Sequence, residues 1–261
     1  MLQSAKRLQG FAIAAADGDI GKISDAYFDD EKWTIRNVVV NTGGWLARHE
    51  VLILPMSIRN LDWTRRVATV DLSKQQIEDS PGVDTAQPVS RQLEAELFRH
   101  YDYPLYWTGP LLWGFGAMPP IGGLMDSVEA TSRPLSATEH GEEIPPADAH
   151  LRSSDEVIGY HIRATDGTFG HVEDFLFDDE DWSIRFIVVN TSNWLLGKHV
   201  LVSPQLISNV NWADNNVFVN VSRETVENSP EFDWSKLPAR DSGSAVYRDS
   251  GSSLTRASYK D

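Results

Sequence analysis

The stretch Phe28-Asp29-Asp30-Glu31-Lys32-Trp33-Thr34-Ile35-Arg36-Asn37-Val38-Val39-Val40-Asn41-Thr42 returns as Phe177-Asp178-Asp179-Glu180-Asp181-Trp182-Ser183-Ile184-Arg185-Phe186-Ile187-Val188-Val189-Asn190-Thr191. Each version is an acidic turn, a tryptophan and a β-branched run that ends in Asn-Thr, the pattern of a turn feeding a buried strand. The likeness extends on both sides: residues 10–82 align with 159–231 without a gap, and 31 of 73 positions are identical. Asp17-Gly18 matches Asp166-Gly167, Trp45-Leu46 matches Trp194-Leu195, and Pro55, Trp63 and Ser80-Pro81 match Pro204, Trp212 and Ser229-Pro230. The chain is a tandem duplication of one module.

Each copy reads as all-β. Asp17-Gly18 and Asp166-Gly167 are tight-turn dipeptides. Ile35 to Val40 and Val51 to Leu54 read as buried strands, the second stopped by Pro55. In the last strand Val217, Val219 and Val221 alternate with Asn216, Phe218 and Asn220, and the matching inward set in the first copy is Ala68, Val70 and Leu72. A helical turn comes next, with Ser73 as N-cap and Gln76 completing a capping box. Five or six short strands in so little chain predict a small closed barrel, because closure removes exposed edges. The expected organisation is a first barrel over 1–86, a helix and linker over 87–150, a second barrel over 151–235, and a disordered Ser/Gly tail over 236–261.

Four features, each present twice, resemble the PRC-barrel family. They are Gly10, Asp17-Gly18 and Gly21 with Gly159, Asp166-Gly167 and Gly170; the acidic hairpin before a Trp; the strand ending at Pro55 or Pro204; and the closing segments Asp71 to Pro81 and Asn220 to Pro230. That family includes the cytoplasmic barrel of the photosynthetic reaction centre H subunit and the C-terminal domain of the ribosome maturation factor RimM. The resemblance implies two small PRC-type barrels that serve as docking or regulatory modules without catalytic residues of their own.

Composition narrows the function further. The 261 residues are 41% hydrophobic and 23% charged, as in an ordinary globular chain. The net charge is −15, with no basic cluster, so the chain lacks the Lys/Arg footprint of a nucleic-acid binder. It has no cysteine, which removes disulfides, thiolate nucleophiles and Cys-ligated metals. Residues 1–10 contain no apolar signal region, and the protein reads as cytoplasmic.

Between the repeats, Val89 to His100 predicts an amphipathic helix, with Leu93 and Leu97 on one face and Glu94 and Glu96 facing elsewhere. Tyr103 to Met125 contains no charged residue and holds Trp107, Trp113 and Phe115. It is long enough for a bilayer span, but four prolines and five glycines argue against a membrane helix. The alternatives are a loop packed on the barrels, or an exposed patch for a partner or a peripheral membrane contact. Residues 126–150 read as a flexible linker.

The duplication also filters the chemistry, because a site working in both copies must appear in both. No His or Lys is shared in place, so a duplicated His-based acid/base mechanism is unsupported. The acidic runs Asp29-Asp30-Glu31 and Asp178-Asp179-Glu180-Asp181 read as solvated turns rather than calcium sites, since consecutive carboxylates do not converge. His171 near Glu173 offers at most a two-ligand metal site. No cofactor and no catalytic residue is assigned.

Trp45 and Trp194 come after strand-ending Asn-Thr pairs and lie in loops beside Arg48, His49, Lys198 and His199. A loop Trp beside a cation suits an interface anchor. These six, with Trp107, Trp113 and Phe115, are the interaction candidates. The expected function is non-enzymatic docking on, or regulation of, a larger assembly through an unidentified protein partner. The two barrels are expected to pair within the chain like a fused dimer, with a homo-oligomer left open. A membrane-associated accessory of electron transport resembling the H subunit is the alternative, and a metal-binding or enzymatic domain the weakest one.

Overall fold

The computed structural model describes residues 1–44, 46, 50–83, 89–114, 119, 151–191 and 197–237. The predicted linker over 126–150 and the tail serines lie outside them, as do Trp45, Arg48, His49, Phe115 and Trp194. The first part of the chain runs β1 (Leu2–Ser4), α1 (Ala5–Leu8), β2 (Ala12–Ala15), β3 (Gly18–Asp29), β4 (Thr34–Asn41), β5 (Glu50–Ile53), β6 (Ile58–Asp62), β7 (Val67–Val70), α2 (Lys74–Glu78) and α3 (Arg91–His100). The second part repeats it with β8 (Leu151–Ser153), α4 (Ser154–Val157), β9 (His161–Ala164), β10 (Gly167–Asp178), β11 (Ile184–Asn190), β12 (His199–Val202), β13 (Ile207–Asn211), β14 (Asn216–Val219) and α5 (Arg223–Glu227).

Two seven-stranded sheets result, in the orders β5-β4-β3-β2-β7-β6 and β12-β11-β10-β9-β14-β13, each with one further strand on its long central strand. Among the described strands, β2 with β7 and β9 with β14 pair in parallel and the rest antiparallel. The parallel pairs bring the last hairpin of each repeat against its first strand. The architecture is that of two small barrel-like domains, mainly β. Ala68, Val70 and Leu72 point inward as their alternation requires. Ser73 caps α2 in a reciprocal capping box with Gln76, and Ser222 accepts from Thr225 at the same place in the second copy. Asp17 accepts from the Lys74 amide at 2.8 Å and Asp166 from the Arg223 amide at 2.8 Å. The turn aspartate thus also anchors the closing helix.

Gly21 and Gly170 are required by close approach. A Cβ there would lie 2.0 Å from the Asn41 carbonyl oxygen and 2.3 Å from that of Asn190. Backbone cannot move aside as a flexible side chain can, which is why this glycine recurs in both copies.

The chain divides into two compact units, and neither is a continuous stretch. The N-repeat unit comprises Arg7–Ser153 and Glu180–Trp182, and the C-repeat unit comprises Met1–Lys6, Ser154–Asp179 and Ser183–Asp261. In the C-repeat unit β1 adds to β10, with Leu2 opposite Asp178 and Ser4 opposite Leu176. In the N-repeat unit β8 adds to β3, with Leu151 opposite Asp29 and Ser153 opposite Tyr27. Each sheet is therefore completed by a strand that precedes the other repeat in sequence.

The same side chains fasten both additions. Ser4 Oγ donates to Asp174 at 2.5 Å, and Ser153 Oγ donates to Asp25 at 2.5 Å. Asp25 and Asp174 each come just after a bulge, where the strand bends and frees a carboxylate to turn toward the added strand. Asp174 also accepts from the Lys6 and Phe175 amides at 3.1 and 2.7 Å. Burial raises its pKa above the usual carboxylate value, against the pull of these donors.

Candidate functional site

A dense arrangement of buried polar groups lies in the N-repeat unit. Strand β4 places Arg36 in a bulge, as the extra residue opposite the Tyr27–Phe28 step, and its side chain has no exposure. One guanidinium nitrogen meets Asp29 Oδ2 at 3.2 Å, and the other donates to the Leu112 carbonyl at 2.8 Å. Asp29 Oδ1 also accepts from the Glu31 and Lys32 amides at 2.9 and 3.1 Å, which tightens the hairpin. Asp29 and Asp178 are buried, at 1% and 4% exposure, and this corrects the expectation of solvated turns. The Asp29 carboxylate is consumed by its own turn and by Arg36, whereas that of Asp178 meets the Met1 amino group at 3.4 Å and Arg185 at 3.8 Å.

Over Arg36 lies a strap formed by α3, a 3-10 turn at Tyr106–Thr108 and the turn around Leu111–Gly114. The Tyr106 ring centroid is 3.7 Å from the guanidinium carbon and that of Trp113 is 4.7 Å away. Arg91, stacked 4.6 Å over Trp107, pairs with Glu94 at 3.2 Å and donates to the Tyr106 hydroxyl. Tyr106 in turn donates to Glu94 at 2.8 Å. The helix forms as its pattern predicts, but Glu94, expected to face away, is 1% exposed. A carboxylate can be buried there because Arg91 and Tyr106 meet both of its oxygens. Residue spacing along α3 carries no sign of Tyr106, the partner that draws Glu94 inward.

Burial pushes the Glu94 carboxyl up to about 7, with Arg91, Tyr106 and Arg36 opposing. A folded-state pKa above the unfolded value means the folded protein keeps a proton that the unfolded chain has released. Stability is therefore expected to fall as pH rises from about 4.5 to about 7, by about 3 kcal/mol from this group. Thermal melts of wild type and Glu94→Gln across pH 5 to 8 would test this. The difference between their midpoints should shrink on acidification; a constant difference refutes the assignment.

The equivalent of Arg36 in the C-repeat unit, Arg185, is 47% exposed and 3.8 Å from Asp178. The segment after α5 in that unit carries Phe232 onto Leu176, Val188 and Leu201, with Phe186, Trp234 and Leu237 packed around them. Next to Arg36, Asn37 stands where the second repeat has Phe186, and its buried side-chain amide has no hydrogen-bond partner among the described residues.

Of the interaction candidates within the described residues, Lys198 donates to the Glu227 carbonyl at 3.0 Å and to that of Ser229. It caps the end of α5. His199 pairs with Glu173 at 2.8 Å, at 25% and 27% exposure. Trp107 is half-buried beneath Arg91. Trp113 is 2% exposed and its indole donates to the Asp181 carbonyl at 2.8 Å within the N-repeat unit. The structure joins Trp107 and Trp113 through Tyr106 and leaves Lys198 and His199 in the other unit. Arg91 and Glu94 are not among the candidates read from sequence; their spacing of three on a predicted helix was the available signal.

A profile for the PRC-barrel domain matches residues 3–77 and 150–226. Among curated proteins, the DNA polymerase II large subunit of Haloarcula marismortui is 29% identical over 132 residues, a match covering 47% of this chain. The shared segment spans 9% of that subunit's length.

Proposed function

The chain belongs to the PRC-barrel family, and from that membership we propose that it is a non-enzymatic docking or regulatory module of a larger assembly. The observation that carries this reading is where three described ionisable groups perturbed by burial are spent. Glu94, Tyr106 and Asp174 all have pKa values raised by burial, and each is tied to a strap or an added strand rather than facing open space. Catalytic groups with shifted pKa values face a cleft where substrate can reach them. The polymerase subunit supports the same reading, since it carries a related segment as a small part of a much longer chain.

A second reading, a membrane-associated accessory of electron transport, is favoured by one observation. Leu111, in the uncharged stretch 103–125, is 57% exposed. No helix among the described residues is long and apolar enough to cross a membrane, so this reading needs peripheral contact.

Cross-linking of the full chain in its source cells, followed by mass spectrometry, tests the first reading. A stoichiometric protein complex is expected; turnover abolished by one substitution in a folded protein would overturn it. Vesicle co-sedimentation of wild type against Leu111→Asp tests the second. Binding weakened by the substitution would support it, and no binding by wild type would remove it. Deleting 103–125 would be a poorer probe, because it removes Tyr106 and Trp113 from the interior of their unit.

A further inference from the structure

We propose that His161 and His171 form a two-imidazole site for a divalent transition-metal ion, of the zinc and copper class, on the outer face of the C-repeat sheet. The inference goes beyond the docking reading above, which does not depend on it. The two histidines stand directly opposite each other on the antiparallel neighbours β9 and β10. Residues opposed in this way share a face, with Cβ atoms about 5 Å apart. Ile162, the next residue on β9, is fully buried, so the alternation of the strand turns His161 outward. His161 is exposed and His171 half-buried. Two imidazoles that close can turn onto one ion at the usual metal–nitrogen distance of about 2 Å.

The fold does not engage either ring. Among the described residues, neither imidazole has a hydrogen bond, an ion pair or a ring contact. The first repeat builds the same ladder with Ala12 opposite Lys22, so the strand pairing needs no histidine. His199, farther across the sheet on β12, is held by Glu173 at 2.8 Å. Arg163, the next outward residue of β9, donates to Asn216 Oδ1 at 3.0 Å.

Charge and donor type select the ligand. Residues 159–233 carry four basic and twelve acidic side chains, a field that draws cations to this unit. Imidazole nitrogen suits zinc and copper, whereas magnesium and calcium take oxygen donors. No group of three such ligands converges among the described residues, so water completes the coordination.

Calorimetric titration of zinc chloride into the full chain, at about pH 7.5 where free imidazole is neutral, tests the site. Saturable binding is expected, weakened at least about tenfold by His161→Ala and by His171→Lys, since even groups that only orient a metal ligand contribute that much. The first repeat carries the same residues at these places, so the ladder accommodates both substitutions. Thermal midpoints without zinc should therefore match wild type, and zinc should raise the wild-type midpoint more than that of either variant. His199→Ala should leave zinc binding unchanged. No binding by wild type, binding that survives both substitutions, or binding lost in His199→Ala overturns the inference.

Discussion

Deleting residues 1–6 is expected to destabilise the C-repeat unit selectively, although the aligned block of the second copy begins only at residue 159. The deletion removes β1 from the edge of β10 and exposes backbone groups that were paired. It withdraws Leu2 and Ala5, which are 5% and 3% exposed. It also strips Asp174 of the Ser4 hydroxyl and the Lys6 amide. One buried leucine contributes about 2 kcal/mol and a hydrogen bond to a carboxylate about 2 kcal/mol. The expected loss is thus about 4 kcal/mol, a large part of the stability of an ordinary domain. Hydrogen exchange read by mass spectrometry would locate it. Amides of β10 and β11 should lose protection while those of β3 and β4 keep theirs. The mirror variant, Ser153→Ala, should act on β3 instead. A loss confined to the first repeat's sheet after deleting 1–6 would refute the strand exchange.

The second large effect is expected at Arg36. Alanine there leaves the buried Asp29 to its two backbone donors, orphans the Leu112 carbonyl, and removes the plate on which Tyr106 and Trp113 stack. Breaking one side of a buried ion pair costs about 3–5 kcal/mol. Arg185→Ala, the same substitution in the other repeat, should cost about 0.5 kcal/mol or less, because a half-exposed pair at 3.8 Å is screened by solvent. Urea denaturation of the two variants separates these outcomes. Equal midpoints would mean that the strap draws no stability from Arg36.

Arg36 and Arg185 also mark the limit of what the repeats reveal as text. They are one shared position, and residue identity there does not distinguish them. The difference lies in the path of the chain after each repeat. The α3 strap runs over Arg36, whereas the described segment after α5 turns toward Leu176 and Val188. Asp25 and Asp174 are likewise visible as shared polar residues without a role. Their partners, Ser153 and Ser4, lie outside the aligned block and far away in sequence.

Local preferences and patterns repeated along one strand were enough for the duplication, the all-β class and the turn glycines. They were enough, too, for the capping box at Ser73 and Gln76 and for the helix after the first repeat. Long-range packing settled the remainder: which sheet receives β1 and β8, that Glu94 points inward, and that one of two equivalent arginines is sealed. The physical reason is the same in each case. Two nearly identical sheets offer an added strand nearly identical ladders, so short-range preferences do not choose between them. The choice is made by long-range geometry, through the bulge carboxylates Asp25 and Asp174 and the course the chain takes after each barrel.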